Sequence, residues 1–159
     1  MPRVPAALAV GLLLSCAAAH TFAAPAVPLT VRSRAAASQH VVVATIAAVE
    51  AAFQTNEHGD RLIVSKAHLL VHESLKGPVA QTLDIEVEGG TVGEVTLAVS
   101  DLPRVSAGER AVFFVSRDAR GRLVPHLRGQ SILKLDAQDR VAGSTLSLAA
   151  LRAEILAAR

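Results

Sequence analysis

From His40 onward the chain alternates short apolar, β-branched stretches with turn residues. Residues 40–49 (His-Val-Val-Val-Ala-Thr-Ile-Ala-Ala-Val) are apolar at odd and even positions alike, the pattern of a central strand covered on both faces. Asn56, Gly59 and Asp60 mark a turn, and residues 61–73 then read as a long partner strand, so the two predict a hairpin. On that strand Ile63, Ser65, Ala67, Leu69 and Val71 share one face. Leu75-Lys-Gly-Pro78 predicts the next turn. Residues 82–88 alternate cleanly, with Leu83, Ile85 and Val87 inward and Asp84, Glu86 and Glu88 outward. A glycine-rich link at 89–93, a short strand at 95–99 and a loop at 101–108 follow. Residues 110–115 form a buried strand carrying Phe113 and Phe114, and strands at 122–127 and 131–136 complete the set. A helical period appears only at the end. Ser147 caps a helix over 147–158, with Leu148, Leu151 and Ile155 on one stripe. The pattern predicts an all-β fold: a small antiparallel OB-like barrel or sandwich of about six or seven strands with a short C-terminal helix.

The first residues obey a different pattern. Arg3 precedes an apolar run from Ala6 to Ala19, and small residues surround Thr21-Phe22-Ala23. That is the layout of a signal peptide over 1–23, too short to span a bilayer as a helix. Residues 24–38, rich in Pro and Ala, read as a flexible spacer, and 39–159 as a single β-domain with its C-terminal helix. The mature chain is therefore expected in the periplasm or outside the cell. In an alternative processing, Leu13-Leu14-Ser15-Cys16 is a lipobox and Cys16 carries a lipid anchor. Cys16 is the only cysteine, so the domain is disulfide-free and must rest on its core.

Composition narrows the function classes. Sixteen basic residues against fourteen acidic leave a net charge of +2. There is no basic stripe, no Trp and no Tyr, so nucleic-acid binding is not expected. Candidate chemistry is equally sparse. His68 and His72 are four apart, but on a strand that spacing separates them by about 13 Å, too far to share an ion, so no metal is expected. Asp84, Glu86 and Glu88 read as a solvated acidic face rather than a calcium site. The 89–93 glycines lack the Lys-Ser/Thr of a phosphate loop and read as a barrel corner. Ser100, Asp101 and His126 supply triad residue types without a nucleophile motif. Arg104, Arg117, Arg120, Arg122 and Arg128 tint the second half basic.

The order of Val41-Val-Val-Ala-Thr-Ile46, Val71-His-Glu-Ser-Leu-Lys-Gly77, Gly89-Gly-Thr-Val-Gly93 and Val105-Ser-Ala-Gly-Glu-Arg-Ala-Val-Phe-Phe114 resembles small exported bacterial domains without an assigned activity. More distantly it is similar to the netrin-like domain of tissue inhibitors of metalloproteinases, which implies an OB-type barrel. Those inhibitors reach the peptidase zinc with an N-terminal cysteine. No cysteine survives ordinary cleavage here, so the resemblance implies the fold and not the inhibitory mechanism. The expectation is a non-enzymatic accessory module that needs no cofactor. It binds a protein partner in the envelope or outside the cell through loops 89–94 and 100–109, with Gly89, Gly90, Gly93 and Arg104 at the contact. The alternatives are a hydrolase or metal-dependent enzyme with an unrecognised site, or a peptidase-inhibitor-like module.

Overall fold

A computed structural model describes residues 30–56 and 58–158. The leader 1–23 and Cys16 lie outside the described residues. Among those described, the fold is mostly β and antiparallel, with eight strands and two α-helices. A six-stranded sheet runs in the order β3 (Thr82–Glu88), β2 (Arg61–Lys76), β1 (His40–Thr55), β6 (Arg110–Arg117), β7 (Leu123–Pro125), and β8 (Ile132–Lys134) also pairs with β6. β4 (Gly90–Val92) and β5 (Val95–Leu97) form a separate hairpin. β5 answers to the strand expected at 95–99, and the one strand beyond the expected set is β4, whose glycine-rich stretch reads as a link from sequence.

The bend of β1 organises the molecule. Its register with β2 shifts between Val41 and Val42, between Val43 and Ala44, and between Ile46 and Ala48, and each irregularity adds twist. Val42, Ala44 and Ile46 face one core with Ile85, Phe113 and Val115. Val41 and Val43 face a second core, with Phe114, Leu148, Leu151 and Ile155. The two-sided apolar pattern read over 40–49 has its expected cause in 40–46 only, since Ala47 and Ala48 are exposed. One face lines the curled sheet and the other lies under two helices. At roughly 1.5–3 kcal/mol per fully buried aliphatic side chain, this short stretch anchors both cores.

The helix α2 (Leu148–Leu156) is capped by Ser147, whose hydroxyl accepts from the Ala150 N–H at 3.2 Å, and buries Leu148, Leu151 and Ile155. The second helix corrects the sequence reading. The spacer expected over 24–38 lies within the described residues only from Thr30, and there Val31–Ala37 is a helix, α1, with Thr30 as its N-cap. Val31 and Ala35, one turn apart, are buried against the same core as α2. The end of β2 explains why α1 stays. The strand continues past Glu73 to Lys76, so the turn expected at 75–78 starts later. Lys76 Nζ donates to the carbonyls of Ala35 at 2.6 Å, Ala36 at 3.1 Å and Ser38 at 2.7 Å, which caps the C-terminal end of α1 with a cation. Gly77 follows where a Cβ would lie 2.6 Å from the Gln39 carbonyl oxygen. The Leu-Lys-Gly run of the resemblance is therefore a helix clamp: Leu75 is buried, Lys76 caps and Gly77 makes room.

The sheet curls until its outer strands face one another. Cα atoms of β3 and β7 come within 8 Å without forming a ladder. Side chains bridge the seam instead. Arg122 donates to Glu86 at 2.7 Å and pairs with Asp118 at 2.7 Å, and Arg128 reaches Glu88 at 3.4 Å and forks Asp101.

Candidate functional site

The structure brings Gly89, Gly90 and Arg104 together on one groove of about 420 Å³. One wall is the β4–β5 hairpin and its exit, including Leu97 and Val99. The opposite wall is loop 102–106, and the floor includes Val49 and Ala51 of β1 and Val87 of β3. Gly93 is not among the lining residues. It turns the tip of the hairpin between Val92 and Val95, where a Cβ would meet nothing.

The glycines hold the wall rather than leaving backbone open. A Cβ on Gly90 would collide with Ser65 Oγ and lie 3.1 Å from Ala51 Cβ. A Cβ on Gly89 would lie 3.1 Å from the Leu97 carbonyl oxygen, and the Gly89 carbonyl accepts from Ser65 Oγ at 2.7 Å. Both glycines let the hairpin lie directly on β1 and β2, the corner that the glycine-rich link predicts.

Arg104 is exposed, and among the described residues its guanidinium has no hydrogen-bond or ion-pair partner. Its loop is nevertheless pinned at the base. Arg128 donates to both Asp101 carboxylate oxygens, and Gly129 packs so tightly on the Asp101 backbone that any Cβ there would overlap it. Leu102 packs against the inner core, and the Ser106 N–H donates to Glu109 at 3.0 Å. Arg104 is a cation on a loop anchored at both ends. Asp101 is itself shifted. The Arg128 hydrogen bonds hold its carboxyl below the ordinary value of 3.8.

The remaining candidates separate. His68 Nδ1 bonds Asp84 at 2.7 Å and His72 Nε2 bonds Thr45 Oγ1 at 2.7 Å, so the two rings have different partners. Among the described residues no three His, Cys, Asp or Glu side chains are grouped to hold a metal. Asp101 is taken by Arg128, and no hydrogen bond links it to Ser100 or His126. Of the acidic stripe of β3, only Asp84 is the exposed carboxylate that its alternation predicts. Glu86 is 18% exposed beneath Arg122, and Glu88 faces Arg128. Arg122 and Arg128, which in the sequence only tint the second half basic, pair with these two carboxylates across the seam. The seam also forms a cleft of about 410 Å³ over Leu62, Val64 and Val124. Sequence reasoning missed it because its partners are far apart in the chain, and a regular alternation carries no sign of what covers its polar side.

No family model matches the chain, and none of the curated proteins compared is a significant match.

Proposed function

We propose that this chain is an exported, non-enzymatic binding module that recognises a protein partner through the groove between the β4–β5 hairpin and loop 101–106. One observation carries the reading. Arg104 is an exposed, unpartnered guanidinium on a pinned loop, at the rim of a groove with an apolar floor. A planar fork held in place favours a carboxylate, because little side-chain and loop freedom is lost on binding. Export rests on the leader pattern of 1–23.

The test is a photo-crosslinking residue at position 106, used in the native envelope fraction, together with Arg104→Ala and Arg104→Glu. The expected result is one crosslinked protein, whose purified form binds the wild-type chain at least tenfold more tightly than Arg104→Ala and does not bind Arg104→Glu. All three chains should melt at nearly the same temperature. Equal binding by the three chains would remove the groove from the reading, and substrate turnover by the purified chain would remove the binding-module reading itself.

A further inference from the structure

The groove has a second property that its side chains do not reveal. The β1–β2 ladder can be phased from its turn, where the Asn56 N–H donates to the Asp60 carbonyl at 2.9 Å. Paired positions such as Gln54–Leu62, Ala52–Val64 and Glu50–Lys66 then direct their backbone groups toward β2. Val49, Ala51 and Phe53 direct theirs away from it. On that side β6 pairs with β1 only as far as Thr45, and the loop before β6 bonds Ile46 through Gly108 and Glu109. Beyond Ile46, among the described residues, no strand pairs with this edge and no hydrogen bond reaches the backbone of Val49, Ala51 or Phe53 from that side. Val49 and Ala51 are also the β1 residues that line the groove.

Exposed strand edges are commonly guarded by Lys, Pro or covering side chains. The outer edges of β7 and β3 are guarded. β7 carries Pro125, and β3 lies behind the Arg122–Glu86 and Arg128–Glu88 pairs. The edge of β1 from Ala47 to Thr55 has neither Lys nor Pro, and its one charge is Glu50.

Building on the proposed function, we propose that the groove takes its partner as an added β-strand: an extended peptide segment paired with Val49–Phe53, carrying an Asp or Glu that meets Arg104. Val49 to Phe53 spans about 13 Å, enough for roughly four paired residues. Charge complementarity selects the acidic residue. Arg104 is the uncompensated charge in the groove, since Glu88, which also lines it, faces Arg128. Alternate apolar residues of the segment would face the floor around Val87 and Leu102.

The probe is a library of short linear peptides displayed on phage and selected on the full chain. The selected peptides are expected to alternate apolar and polar residues, with Asp or Glu at one fixed register. Binding should protect the amides of Val49, Ala51 and Phe53 from hydrogen exchange. Amides of Glu50 and Ala52, already in the ladder, should not change. N-methylation at every second peptide residue should abolish binding in one phase and spare it in the other. Arg104→Ala should weaken binding about tenfold. Peptides that require Arg104 but leave those three amides unprotected would overturn the added strand and leave the proposed function standing. Selected peptides that bind Arg104→Ala equally well would overturn both, and a selection that yields none would overturn the added strand and leave the proposed function standing. Concentration-dependent protection of the same amides in the chain alone would assign the edge to a second copy and overturn the proposal.

Discussion

At the scale of single residues, the arginines divide by what surrounds them. Arg122 and Arg128 are held by carboxylates, whereas Arg104 is not. Arg104→Ala should therefore change folding stability by less than about 0.5 kcal/mol, measured by urea denaturation, while lowering partner affinity. Gly129→Ala should behave in the opposite way. Its Cβ overlaps the Asp101 backbone, so the loop must move, and a loss of about 1–3 kcal/mol is expected from overpacking. The carboxylates add a pH dependence. Arg128 hydrogen bonds lower the Asp101 pKa. At Asp118 burial opposes ionisation, but the Arg122 side chain and two backbone N–H groups outweigh it, and that pKa is lowered as well. A folded-state pKa below the unfolded value of 3.8 means stability that is present above it and lost as pH falls through the lowered value. Urea midpoints measured from neutral to acid pH should fall below about pH 4, and less steeply in Asp101→Asn.

At the scale of elements, α1 depends on a strand residue. Its own sequence offers seven residues and one side-chain cap, too little to hold a helix in water. Lys76 supplies donors for three carbonyls at its C-terminal end. Lys76→Met should cost about 1–2 kcal/mol and should raise hydrogen exchange in Val31–Ala37 while β1 and β6 stay protected. By contrast α2 depends on packing. Leu151→Ala, at a fully buried site between α2 and the sheet, should cost about 2–5 kcal/mol, visible as a lowered melting temperature. The signs of α1 were partly legible: Thr30 followed by Ser33, and Val31 with Ala35 one turn on. The proline-rich stretch before them masked the signal, and the residue that decides the matter, Lys76, is forty positions away.

At the scale of the whole molecule, the curled sheet is closed on one side by charge and left open on another. Arg122, just before β7, pairs with Glu86 of β3 across the seam, and a double-mutant cycle on that pair should give a coupling of about 0.5–1 kcal/mol at their partial exposure. The open side is the edge of β1 beside Arg104. Much of this architecture follows from sequence alone. Period-two alternation sets which side of β2 and β3 faces inward, the two-faced apolar run of β1 requires cover on both sides, and Ser147 with its apolar stripe defines α2. Each is a local consequence of backbone geometry, so neighbouring residues suffice to determine it. Only the tertiary structure decided that Glu86 and Glu88 of β3 belong to Arg122 and Arg128, that Lys76 holds α1, and that one edge of β1 lies unpaired beside a free guanidinium. Ion pairs, caps and strand edges depend on groups far apart in the chain, and the pattern at either partner reads the same whether or not the other arrives.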